Sequence, residues 1–145
     1  MEENNVIASL KVVLADTYSL YLKTQNYHWN VEGVHFKSLH ALFEDLYTEL
    51  ATAVDDIAEM IRALGEKAPG TFADFSNLTT LESADGNAAD SQMVQDLAAD
   101  QDKLQATLKR AHDAAQANDD DIVVDAMIQR MSVHRKNKWM LKSSL

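Results

Sequence analysis

Cysteine is missing from this 145-residue chain, which excludes disulfides, thiolate metal sites and cysteine nucleophiles. That absence fits a reducing compartment. Proline occurs once and glycine four times, so little interrupts a helix. No apolar stretch approaches the roughly 20 residues needed to cross a bilayer. Basic residues are scarce beside acidic ones, 13 against 23, for a formal net charge of -10. Such a surface disfavours a partner dominated by phosphates and gathers cations instead. The opening residues, Met1-Glu2-Glu3-Asn4-Asn5, lack the basic-then-apolar order of a signal peptide. The expected setting is cytoplasmic, without a membrane.

What is present reads as helix. Val6, Leu10, Val13, Leu14, Thr17, Leu20 and Tyr21 recur every three or four residues, predicting an amphipathic helix from about 4 to 29. Gly33 lies in the break that follows. A second helix, Phe36 to Leu64, carries Leu39, Leu42, Phe43, Leu46, Tyr47, Leu50, Val54, Ile57 and Ile61, and stops near Gly65. Residues 66–90 read as a long crossover with one short helix around Phe72, Phe75 and Leu78. Ser91 is placed to cap a third helix with Met93, Leu97, Leu104, Leu108 and Ala111 as its inner stripe. Asn118 and Asp119-Asp120-Asp121 end it and suit the positive end of a fourth. That helix holds Ile122, Val123, Ala126, Met127, Met131, Trp139 and Met140. Its basic residues Arg130, Arg135, Lys136, Lys138 and Lys142 gather toward the negative end. Short 1–2 and 3–4 connections around a long crossover describe a ferritin-like all-α four-helix bundle, expected as one domain over 1–145.

Two half-sets of metal ligands stand out. His28 and His40 flank the first turn and should meet at one end of the bundle. Asp55 and Glu59, four residues apart, share a helical face, and Asp56 should point elsewhere. Imidazole with carboxylate suits ferrous iron that must also be held as ferric. His40 and Asp55 are separated by about 22 Å along one helix. Metal ligands must approach within roughly 2 Å. One site using all four must therefore be shared between chains. A twofold axis crossing the second helix near Tyr47 would place His40 opposite a partner's Asp55 and create two sites per dimer. Glu44, four residues after His40, is a further possible ligand. Tyr47 reads as core, and His35, His112 and His134 as solvated. Glu32-Gly33-Val34-His35 matches Glu-x-x-His in letters only, because it lies in the turn and has no second copy.

His28-Trp29-Asn30-Val31-Glu32-Gly33, with Phe36, Leu39-His40, Phe43, Tyr47, Asp55-Asp56-Ile57-Ala58-Glu59 and Ile61, resembles the Dps mini-ferritins, the DNA-binding proteins from starved cells. Trp139-Met140-Leu141 is similar to the family's terminal helix, so the resemblance spans nearly the whole chain. It implies a hollow homo-dodecamer built from twofold dimers. It also implies ferroxidase centres at dimer interfaces, where Fe²⁺ is oxidised preferentially by hydrogen peroxide and ferric mineral collects inside. His28 and His40 would come from one subunit, Asp55 and Glu59 from its mate, with Glu44 where the family often has another acidic ligand. Trp29 would then lie near the metal, or else be a buried aromatic.

Asp121 and Asp125 share a face near the start of the last helix, which in this family lines a threefold iron-entry pore. As plain structure, the Asp119–Asp121 run ends one helix and caps the next. Some members bind DNA through a lysine-rich N-terminal extension, whereas Met1 to Asn5 is acidic and short. Twelve copies with a formal -10 each would repel a polyanion, so DNA binding is expected to be weak. The alternatives are a nucleoid protein that condenses DNA, and a helical bundle without metal.

Overall fold

The computed structural model describes residues 2–145, with side chains from Asn5 onward. Met1 and the side chains of Glu2, Glu3 and Asn4 lie outside the described residues, and with them most of the acidic stretch that bears on DNA. Helices α1 (Glu2–Asn30) and α2 (Phe36–Ala63) form one antiparallel pair, and α4 (Asp90–Ala117) and α5 (Asp121–Lys142) the other. The pairs join chiefly through α1 against α4, and the crossover between α2 and α4 carries the short α3 (Phe72–Leu78) against α1. No strand occurs among the described residues, and no helix among them is long and apolar enough to cross a membrane. The bundle and its long crossover match the expectation.

Periodicity explains the interior. Leu10, Leu14 and Leu20 of α1, Phe43, Leu50 and Ile61 of α2, Leu97, Leu104 and Leu108 of α4 and Met127 of α5 are fully buried. Each such side chain contributes about 1.5–3 kcal/mol. Thr71 caps α3 by accepting from the Asp74 amide, and Asp120 caps α5 by accepting from Val123. Helix α4 corrects the capping expectation. It starts one residue before Ser91, with Ala89 at the cap, and Asp90 Oδ1 accepts from the Ser91 amide in place of a serine cap.

In the last helix several of the apolar residues noted in the sequence do not face inward. Ile122 and Trp139 are 79% and 65% exposed, while the buried positions are Val123, Met127, His134, Asn137 and Leu141. Those five share a helical face that happens to include two polar residues. His134 is therefore not solvated. Its Nδ1 donates to Gln101 Oε1 at 2.7 Å, Gln101 donates onward to the Leu97 carbonyl, and Nε2 accepts from Arg130 at 3.3 Å. Arg130 also forks onto both carboxylate oxygens of Glu49, and Lys138 pairs with Asp102. These two cations are thus paired with carboxylates of α2 and α4. His112 is also mostly covered and contacts Asp113, whereas His35 is exposed as expected.

Two other buried polar clusters brace α1. Asp16 accepts from Thr79 Oγ1, the Thr80 amide and hydroxyl, and Thr107 Oγ1, at 2.6 to 2.8 Å. This completely buried carboxylate pins the end of α3 and the following crossover to α1 and α4. Lys23, also buried, lies within ion-pair distance of Asp96 and Asp100, and the Tyr27 hydroxyl donates to Asp96. Burial raises the Asp100 carboxyl above its usual range, against the opposing pull of Lys23. Burial, reinforced by Asp96, likewise raises the Tyr27 phenol.

Burial, reinforced by the Arg130 charge, lowers the His134 pKa from 6.5 to about 3. Between those values the unfolded chain binds a proton that the folded chain refuses, so stability falls as pH drops through the window. The slope is up to about 1.4 kcal/mol per pH unit. Denaturant unfolding between pH 7 and 5 should show this loss, and His134→Gln should flatten it. An identical slope in the variant would contradict the assignment.

Candidate metal centre

The α1–α2 turn brings the two histidines together. Gly33 takes φ 116°, a left-handed conformation that side chains rarely adopt, and its carbonyl accepts from the Phe36 amide. A Cβ at Gly33 would also approach Asp90 Oδ2 to 3.2 Å. Across this turn the rings of His28 and His40 stack with centroids 3.8 Å apart and planes 13° from parallel. His28 Nδ1 bonds the His40 carbonyl at 2.7 Å, and His40 Nδ1 bonds the His28 carbonyl at 2.7 Å. A carbonyl oxygen only accepts, so each Nδ1 carries the proton and each Nε2 keeps a free lone pair. Metal-ligating histidines are typically oriented by such a bond.

Neighbouring rings hold this pair in place. Phe36 stacks on His40 at 4.9 Å, and Tyr47 meets His28 edge-on at 5.2 Å. His28 is buried, His40 half-buried and Glu44 exposed. Glu44 Oε1 lies 3.7 Å from His28 Nε2, too far for a hydrogen bond but compatible with two donors around one cation. Glu44 thus joins the histidine half-set in space.

The carboxylate half-set lies elsewhere on α2. Asp55, Asp56 and Glu59 present ligand oxygens within 4.8 Å of one another, and all three are exposed. Asp56 was expected to point away into solvent; it is exposed, but stays within reach of the other two. Its spacing of three residues from Glu59 puts the two on neighbouring positions of the helix surface, the signal that could have identified it. Among the described residues no group of potential ligands joins these carboxylates to the histidines. Because α2 is continuous between His40 and Asp55, the two halves stay about 22 Å apart within one chain.

Other expected positions are less uniform. Tyr47 is half-buried rather than core, at the rim of the histidine pair. Trp29 is 61% exposed, so it is not a buried aromatic in this chain. It lines a crevice with Leu22, Phe72 and Phe75. Asp121 and Asp125 are both exposed, one turn apart at the start of α5. Asp16 and Lys23, buried charges that fix α1, carry no signal in the sequence, because a charged residue in a helical pattern ordinarily faces water.

A family model described as a ferritin-like domain matches residues 7–145. The DNA protection during starvation protein 2 of Bacillus anthracis is 34% identical over 140 residues, which cover 97% of this chain and 96% of that relative. The crystal structure of Dps from Staphylococcus aureus is similar with a TM-score of 0.94 and 33% identity, over 98% of this chain and 95% of that one. The Vibrio cholerae O1 Dps protein is described as a member of a broad superfamily of ferritin-like diiron-carboxylate proteins. It matches with a TM-score of 0.93 and 25% identity, over 98% of this chain and 89% of that one. A turn that pairs two imidazoles, a bundle with a long crossover and full-length similarity at this level lead to one assignment: the chain belongs to the Dps family of ferritin-like proteins.

Proposed function

We propose that this protein oxidises ferrous iron at sites shared between subunits and stores the ferric product, using hydrogen peroxide in preference to other oxidants. The observation that carries this reading is the reciprocal bonding of His28 and His40, which commits both Nδ1 atoms and leaves both Nε2 atoms as donors. Glu44 beside His28 adds an oxygen to that half-site. Asp55 and Glu59 complete it from the symmetry mate, with Asp56 close enough to assist.

Iron is the substrate here, and the chain contributes placement. His28 and His40 bind Fe²⁺ through neutral nitrogen, while Asp55 and Glu59 supply charge that also suits Fe³⁺. Peroxide accepts electrons from paired or successive irons, which keeps hydroxyl radical low. The assembly we infer is a hollow cytoplasmic dodecamer of one-domain chains, 1–145, built from twofold dimers. Asp121 and Asp125 would line its threefold pores and attract Fe²⁺. The relative's name records DNA protection; with a formal charge of -10 per chain, we infer protection by removing iron and peroxide rather than by covering DNA.

Two experiments test this. Ferrous iron added anaerobically, followed by peroxide, should be oxidised rapidly and stoichiometrically by the wild type. In a His28→Ala/Asp55→Ala double variant the rate should fall at least about tenfold, in line with losses on disturbing metal sites. An unchanged rate would remove the centre. Mixing a His28→Ala/His40→Ala chain with an Asp55→Ala/Glu59→Ala chain should restore one of the two sites in each mixed dimer. No recovery in verified mixed dimers would contradict sharing.

A further inference from the structure

The crossover approaches α4 through a tight turn, Asp85-Gly86-Asn87-Ala88, which holds the one Asp-Gly pair of the chain. The Ala88 amide donates to the Asp85 carbonyl at 3.0 Å and closes the turn. The Asn87 amide donates to Asp85 Oδ1 at 3.0 Å, so the Asp85 side chain folds forward over the Gly86 peptide. The Asp85 amide donates to the Tyr27 oxygen at 3.3 Å and ties the turn to α1. Asp85 itself is exposed.

Close approach sets the glycine at 86. A Cβ there would meet Asn26 Oδ1 at 3.3 Å and Asn30 Nδ2 at 3.4 Å, both near the end of α1. The same missing Cβ leaves the Gly86 nitrogen with no side chain to shield it. A backbone nitrogen beside a carboxyl carbon can close a five-membered ring, and such proximity strongly favours reaction within one chain. Asp90-Ser91, the Asp-Ser pair of the chain, is the contrast. Asp90 is the first residue of α4, and the Ser91 amide spends its hydrogen on Asp90 Oδ1 at 2.7 Å. Helical bonding also fixes the backbone there, so the Ser91 nitrogen is not free to rise over the carboxyl carbon.

We propose that Asp85-Gly86 is a self-modifying site, where aspartate converts to isoaspartate and becomes a substrate for isoaspartyl methyl transfer. The Gly86 nitrogen attacks Cγ of the protonated Asp85 carboxyl. An N–Cγ bond forms, and the carboxyl hydroxyl leaves with the amide hydrogen as water. The product is a succinimide spanning both residues. Water then adds to one of its two carbonyls and breaks the bond from that carbonyl to nitrogen. Opening at Cγ restores aspartate. Opening at the main-chain carbonyl routes the chain through Cγ and frees an α-carboxylate. The water lost is regained, and nothing is oxidised or reduced. A methyltransferase then moves a methyl group from a sulfonium donor to that carboxylate, leaving a thioether. Isomerisation lengthens the main chain by one carbon where it lies against the end of α1, close to His28.

The test incubates the assembled protein in warm, mildly acidic buffer, with the same chain unfolded in urea in parallel. Electron-transfer fragmentation of peptides locates isoaspartate, and labelled methyl transfer from S-adenosylmethionine by an isoaspartyl methyltransferase counts it. In the folded protein isoaspartate should accumulate at Asp85, preceded by a peptide lighter by one water. The ratio of conversion at Asp85 to conversion at Asp90 should exceed that of the unfolded chain several-fold. Asp85→Glu, which would have to close a less favoured six-membered ring, should lose most of the methyl-acceptor signal. Undiminished methylation in Asp85→Glu, or no isoaspartate at Asp85 in the folded wild type, would overturn the proposal. An equal ratio in the folded and unfolded chains would overturn the part assigned to the turn.

Discussion

Two imidazole–carbonyl bonds across a five-residue turn set the geometry on which the proposed iron chemistry depends. His28 and His40 each spend one nitrogen on the other's backbone, so their rings are fixed, their tautomers are set and their remaining nitrogens are available. The arrangement needs α1 and α2 to be antiparallel, tightly connected and locked in register. Gly33 permits the turn, Leu39 and Phe43 bury the start of α2, and Phe36 and Tyr47 flank the stacked rings. Disturbing any of these would reorient the two imidazoles.

The second constraint is length. A continuous helix cannot return on itself, so His40 and Asp55 face different parts of the surface. Three clustered carboxylates in water repel only weakly at this dielectric, about 1 kcal/mol per close pair. They can therefore stay together, exposed on the surface of one chain. The histidine half-site is the opposite case, partly buried and already organised. The histidine pair is packed and the carboxylate cluster is solvated, the pattern the proposed centre would need if it formed on assembly. Internal stability comes from elsewhere, through Asp16 fastening the crossover and His134 joining α5 to α4.

Much of this was legible in the residues alone. The apolar spacing of α1, α2 and α4 identified their buried faces, and the placement of His28 and His40 around a turn predicted their meeting. Buried polar groups were not legible. His134 and Asn137 occupy the inner face of α5 while Ile122 and Trp139 face outward, and a hydrogen-bonded imidazole such as that of His134 fills an interior as well as an apolar side chain does. Asp16 reads as a charged interruption until four donors from α3's end and α4 surround it. Asp56 is solvated as expected, yet its spacing to Glu59 also brings it beside the Asp55–Glu59 pair. The buried groups were missed for one reason: helical periodicity reports hydrophobicity, whereas partners that satisfy a polar group come from other segments.

The claim that unites these features is that a cation bridges histidines of one subunit and carboxylates of another. Anomalous scattering at the iron edge, from crystals of the assembled protein soaked anaerobically with Fe²⁺, tests it most directly. The account predicts a peak within bonding distance of His28 and His40 from one chain and of Asp55 and Glu59 from its symmetry mate. A peak bound to only one of these half-sets, with the other facing solvent, would contradict it.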